Sequence, residues 1–268
     1  MKTILTSSVI ALALMTSAAL ADTTPAAPAA TPTTTAAAVM PAAAFTPDQV
    51  TQLHQIIHDY LVADPQVLVD ASKALQAQQE QKMQSVAMTA IQTNKAALFN
   101  DANSPTLGSK TAPAILVEFY DYQCGHCKEM APLVEKLIST DKNLHVVFKE
   151  LPIFGPVSKL AAEAALASAK QGKFYAFHNL LLSANGALTK EKIMELARKA
   201  GLNVEKLETE MKSPAIDNEI RANFQLAQSM QLIGTPTFVI SNQAQTTFRY
   251  IPGATSLEDL QKQIQAVG

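Results

Sequence analysis

The sequence predicts an α/β protein in which a helical block is inserted between two halves, with a further helical segment ahead of it. Three observations carry this. The run "AILVEFY" at 114–120 is continuously apolar and has the length of a strand buried on both faces. Behind it Cys127, Met130, Ala131, Val134, Leu137 and Ile138 recur at helical spacing, and "HVVFKEL" at 145–151 reads as a second strand. Strand, helix and strand within about 35 residues form a βαβ unit. From 156 to 213 the apolar spacing is helical throughout, before "TFVI" and "TFRYI" restore the strand pattern near the C-terminus.

Residues 1–21 read as a secretory signal: Lys2, the apolar run "ILTSSVIALALMTSAAL", and Ala19-Leu20-Ala21, with small residues where cleavage requires them. The run is short and broken by Ser and Thr, which argues against a membrane anchor. Cleavage after Ala21 places the protein outside the cytoplasm, in the periplasm of a Gram-negative host. Residues 22–45 are almost entirely Ala, Thr and Pro, as in "DTTPAAPAATPTTTAAAVMPAAA". They lack a periodic apolar face and read as a disordered linker.

Order begins at "FTPDQV". Thr46 is placed to cap a helix, Pro47 suits its first turn, Gln49 holds the capping-box position, and Phe45 and Val50 are spaced as a hydrophobic staple. That helix carries Val50, Leu53, Ile56, Ile57, Tyr60 and Leu61 on one face. Asp64-Pro65 ends it and supplies the cap and first turn of a second helix reaching about Asn100. Leu61, Leu68 and Leu75 form a stripe that Lys82 breaks. Such a stripe needs a cover, either the chain's own globular part or the same segment of a second copy. The second option makes residues 46–100 a homodimerisation segment ahead of a catalytic domain at 101–268. His54 and His58, four apart on the first helix, have a spacing that can hold a metal, but no third ligand lies nearby and no metal is expected.

In the helical block, patterns cover about 156–171, 173–183, 189–200 and 203–212, with Gly172 and Gly201 as stops and Thr189 and Asn203 as caps. A further helix starts at Ser213-Pro214 and carries Ile216, Ile220, Phe224 and Ala227, and Ser256 caps the last one.

The chain has 268 residues, 48% of them hydrophobic, and 2 cysteines, so stability comes from a packed core and not from a disulfide scaffold. The cysteines are left free for chemistry. A net charge of −2 without a basic stripe speaks against nucleic acid or a basic membrane face.

Cys124 falls at the turn between the buried strand and its helix, near unpaired backbone N–H groups and the positive end of the helix dipole. Both favour the thiolate, as does an adjacent imidazolium from His126. A thiolate attacks disulfides, and Cys127, one turn on and facing the domain, is placed to resolve the mixed disulfide. Gly125 keeps the short loop free of steric demands. Structural zinc needs further ligands beside these cysteines, and an inert disulfide closing so small a ring removes little unfolded-state entropy. A redox couple fits best. Glu118 sits inside the apolar strand: buried, it could relay protons to or from Cys127, and at the strand's end it would reach solvent. Gly234-Thr235-Pro236 in "IGTPTFV" marks a tight turn, for which a trans bond is the default.

On "VEFYDYQCGHCK", Pro132 within the first helix, "FKELPI", "QGKFYAFHNLLL" and "GTPTFV", the chain resembles the DsbA-like thiol-disulfide oxidoreductases of the bacterial periplasm over roughly 100–266. The resemblance implies a thioredoxin fold with its helical insertion at about 156–213. It implies Cys124 as exposed nucleophile, Cys127 as resolving thiol, Glu118 at the buried acid position and Pro236 as a cis-proline facing the pair, with Thr235, Pro236 and Gly125 at the substrate. No cofactor is implied. The partners it implies are unfolded or misfolded secreted proteins and a membrane protein that resets the cysteines, either a DsbB-like oxidase or a DsbD-like reductase. Gly125 and Thr235 stand where the oxidases carry proline and valine. Thr235 is similar to the dimeric isomerases DsbC and DsbG, and CGHC to eukaryotic disulfide isomerase, so the expected activity forms or reshuffles disulfides. The alternative from another class is a non-catalytic chaperone or binding protein on the same fold.

Overall fold

The computed structural model describes residues 45–267, so the signal and all but the last residue of the linker lie outside the described residues. The chain divides into two units, residues 1–60 and 61–268. In the first unit the capping box forms: Thr46 N–H donates to Gln49 Oε1 at 2.9 Å and Gln49 N–H donates to Thr46 Oγ1 at 3.3 Å. It opens α1 (Pro47–Ala63), which buries none of its residues.

In the second unit, α2 (Gln66–Thr93) differs from the sequence reading at both ends. Its N-cap is Pro65 without a side-chain bond, and Asp64 contributes only its carbonyl, which accepts from Val67 N–H at 3.3 Å. The helix stops at Asn94 and not near Asn100. There the side-chain Nδ2 and the backbone N–H of Asn94 both reach the Ala90 carbonyl at 2.9 Å, and a side chain that competes for helical carbonyls interrupts the ladder. A separate turn, α3 (Lys95–Phe99), follows. The core also moves the domain boundary expected at 100. Ala87, Ala90, Ile91, Leu98 and Phe99 pack with Ile115, Val117 and Val239 of the sheet, so this stretch belongs to the globular unit.

The sheet has the order β1-β3-β2-β4-β5, from β1 (Thr106–Leu107), β2 (Ala114–Tyr120), β3 (Leu144–Glu150), β4 (Thr237–Asn242) and β5 (Phe248–Pro252). The pair β2–β3 is parallel and joined through α4 (Gly125–Thr140), which contains Pro132; the other pairs are antiparallel. β1 escapes the sequence reading because two residues carry no periodicity. Gly108 brings it in at φ +85, where any Cβ would lie 2.2 Å from the Leu144 carbonyl oxygen.

Between β3 and β4 come α5 (Pro156–Ala169), α6 (Phe174–Leu182), α7 (Lys190–Lys199), α8 (Val204–Glu210) and α9 (Pro214–Ser229); α10 (Leu257–Gln265) closes the chain. Thr189, Asn203 and Ser256 cap α7, α8 and α10 through their side chains, as predicted, whereas Ser213 makes no cap bond to α9.

Alternation along β2 divides the core. Ile115, Val117 and Phe119 face α2, α3 and α9, while Leu116 and Tyr120 face the layer that holds α4 and both cysteines. Glu118 shares the parity of Leu116 and Tyr120.

Candidate active site

The loop between β2 and α4 is held by one buried carboxylate. Asp121 accepts hydrogen bonds from Gln123 N–H at 2.7 Å, Phe154 N–H at 3.0 Å and the Ser158 hydroxyl at 2.7 Å, tying the cysteine loop to the start of α5. Cys124 is the N-cap of α4 in extended conformation and makes no side-chain bond to the helix amides. Its thiol instead donates to the Thr235 carbonyl at 3.2 Å. The Gly234–Pro236 loop thereby covers the sulfur: Cys124 is only 4% exposed, where the sequence reading expected an exposed one. The Thr235–Pro236 peptide bond is cis, against the default for a tight turn and in line with the resemblance.

Cys127 is fully buried behind Cys124, and both are free thiols. Burial pushes the Cys127 thiol well up, opposed by the Asp121 backbone and the Thr235 hydroxyl, which finds no other partner. His126 lies in solvent and hydrogen-bonds neither sulfur. Its Nδ1 lies 3.0 Å from Glu129 Oε2, with both side chains about 71% exposed.

Glu118 does not reach solvent. It is 1% exposed, neither carboxyl oxygen has a partner, and burial pushes it up to about 8. Behind it stands a network that the sequence reading missed. Tyr120 and Tyr122 donate to Glu150 Oε1 at 2.6 and 2.8 Å, and Tyr122 Oη lies 3.0 Å from His178 Nδ1. Because the single Tyr122 proton goes to Glu150, His178 Nδ1 must carry the hydrogen of that last bond. Burial holds Glu150 well above the usual carboxylate range, helped by the nearby Asp121 and Glu118 and opposed by the two phenols, and it pushes His178 down to about 3. A neutral Glu118, a neutral imidazole and the upward-shifted Glu150 thus share the cysteine side of the sheet. The only sequence signal for Glu150 was an acid ending the second strand, in register with Tyr120 across the parallel pair.

A sheet with a CxxC pair opening the helix that follows its central strand, faced by a Thr-Pro loop, defines a thioredoxin-fold dithiol protein. The chain belongs to the DsbA-like family of thiol-disulfide oxidoreductases, matching the DSBA-like thioredoxin domain over residues 115–265. Residues 49–82 match the N-terminal domain of the copper resistance protein ScsC. Among solved structures, BcfH of Salmonella enterica Typhimurium is 33% identical with a TM-score of 0.68, covering 81% of this chain and 95% of its own. The catalytic domain of Proteus mirabilis ScsC is 29% identical with a TM-score of 0.60, covering 66% of this chain and 96% of its own. The thiol:disulfide interchange protein DsbA of Burkholderia cepacia is 28% identical over 160 residues, 56% of this chain and 75% of that protein. The Na(+)/H(+) antiporter NhaA 3 of Salinispora tropica is 29% identical over 136 residues, and the match spans only 21% of the antiporter.

Proposed function

We propose that this chain works in the periplasm, forming or reshuffling disulfides in unfolded secreted proteins through Cys124 and Cys127. The observation that carries the reading is the contact of Cys124 Sγ with the Thr235 carbonyl at 3.2 Å, with Cys127 buried directly behind. A polypeptide lying along Thr235 and Pro236 would bring its own sulfur to Cys124, and Gly125 leaves the other side of the loop open: no atom lies within 4 Å of a Cβ placed there.

In the oxidising direction, a substrate thiolate attacks Cys124 Sγ, the Cys124–Cys127 bond breaks, and Cys127 leaves as a thiolate. A second substrate thiolate then attacks the substrate sulfur of the mixed disulfide and releases Cys124. The substrate has lost two electrons, and the pair holds them as a dithiol. In reshuffling, Cys124 thiolate attacks a substrate disulfide and is released again, with no net electron transfer. Glu118, protonated at neutral pH, is the acid that gives its proton to the leaving Cys127, and it takes a proton back when Cys127 is next oxidised. His126, whose Nδ1 sits against Glu129 in solvent, makes no hydrogen bond to Cys124.

The membrane protein that resets the pair is of the DsbB-like or DsbD-like class, and trapping the in vivo thiol state by alkylation distinguishes them: an oxidised pair indicates the first, a reduced pair the second. The reading as a whole rests on refolding of scrambled ribonuclease. Wild-type protein restores ribonuclease activity and Cys124→Ser loses it by about 10³-fold or more. Client binding that survives Cys124→Ser, with no refolding by the wild type, would make the chain a chaperone instead.

A further inference from the structure

We infer that α2 supplies one wall of the substrate site and selects polypeptides carrying a lysine or arginine beside the reacting cysteine. This rests on the exchange activity proposed above and adds to it a residue that reads the substrate. A cavity of about 390 Å³ is lined by Glu80, Met83 and Gln84 of α2 and by Ile233, Tyr250 and Pro252.

Two of those residues bracket the catalytic loop. Ile233 stands two residues before Thr235 and is 70% exposed. Pro252 is the register partner of Thr237, and the next residue, Gly253, donates its N–H to the Pro236 carbonyl at 2.9 Å. A cysteine joined to Cys124 lies against Thr235, and each extended residue advances the chain by about 3.3 Å, so a side chain two or three residues away reaches this cavity.

The lining matches one kind of side chain. Ile233, Met83, Pro252 and the Tyr250 ring offer an apolar bed for an alkyl stem, while Glu80 supplies the one formal charge. Glu80 has no cationic partner among the described residues; its hydrogen bond comes from Gln76 Nε2 at 2.8 Å, which leaves its charge uncompensated. Long cationic side chains bury the stem and keep the head in water, beside a carboxylate or over an aromatic face. An acidic side chain would meet repulsion in the same place.

The test is single-turnover oxidation of two-cysteine peptides by the oxidised protein, with Arg or Glu placed two residues from the first cysteine on either side. Dithiothreitol serves as a small dithiol. Wild type oxidises the Arg peptide about fivefold faster than the Glu peptide, a preference that shrinks in high salt. Glu80→Lys abolishes or reverses the ratio, whereas Glu205→Lys in α8, an equal change in net charge, leaves it near the wild-type value. Because each protein is compared with itself on two peptides, a change in assembly or folded fraction cancels. Equal rates for the two peptides in wild type, or an unchanged ratio in Glu80→Lys, overturns the inference. Failure to oxidise dithiothreitol as well would instead sink the exchange reading beneath it.

Discussion

This molecule buries Glu118, Glu150 and His178 on the cysteine side of the sheet and Lys149 on the opposite side, while along α1 and the first half of α2 it leaves Ile56, Tyr60, Leu68 and Leu75 in solvent. Both regions reverse the usual placement of side chains, and the reversals have different remedies. A buried charge is compensated within one chain, by a partner or by protonation. Lys149 has partners: its Nζ lies 2.9 Å from Asp101 and 3.7 Å from Glu219, which the Ser104 hydroxyl also holds. Glu118 has none, and stays neutral. An exposed apolar stripe has no internal remedy and needs another surface. The first kind of violation therefore marks chemistry, and the second marks association.

The largest effect expected from this contrast is at Lys149. Replacing it by alanine strands Asp101 and Glu219 in the interior and should cost about 3–5 kcal/mol in denaturant unfolding. A loss below about 1 kcal/mol would show that the two acids had never depended on it.

Glu118 should respond with the opposite sign. A carboxyl that folding raises from 4.5 to about 8 binds more protons in the native than in the unfolded state between those values. Its contribution to stability is therefore full below pH 4.5 and is lost as pH rises through 8, and the penalty reaches on the order of 3 kcal/mol at pH 7. Glu118→Gln removes it and stabilises the protein by that order at pH 7, while slowing disulfide exchange by up to about 10²-fold as the proton donor disappears. His178, lowered to about 3, works the other way: its contribution is full above 6.5 and is lost as pH falls toward 3. Unfolding followed against pH should show the alkaline loss in wild type and a much smaller one in Glu118→Gln, with the acid limb retained in both. An unchanged alkaline limb would mean that Glu118 is ionised in the native state.

What the sequence disclosed follows the range of the forces involved. The βαβ unit, the helical block and the caps at Thr189, Asn203 and Ser256 depend on neighbours a few residues away, and were legible. The cysteine pair and the threonine before Pro236 stood out by type and spacing. Asp121, Glu150 and His178 did not, because each matters through partners brought in by the fold: Ser158 for the first, two tyrosines for the second, one of them shared with the third. The boundary expected at 100 failed for the same reason. Nothing local in "AIQTNKAALF" says that Ile91, Leu98 and Phe99 pack on a sheet that begins later in the chain.

The smallest effect on the fold should come from the exposed stripe, and its smallness is what tests the comparison. Leu68 and Leu75 are 56% and 55% exposed, so replacing both by serine removes little buried surface and should change unfolding of an isolated chain by no more than about 0.5 kcal/mol each. If a second copy covers the apolar stripe within residues 46–100, as the homodimer reading proposes, the same pair of changes deletes apolar area from every interface of the assembly. Light scattering of the full chain should then give a dimer or another closed multiple for wild type and a monomer for Leu68→Ser/Leu75→Ser, with dithiothreitol oxidation unaltered. A monomeric wild type would end the association reading. A large loss of stability in a protein that remains monomeric would place the stripe inside the chain's own core, and the contrast between the two regions would collapse.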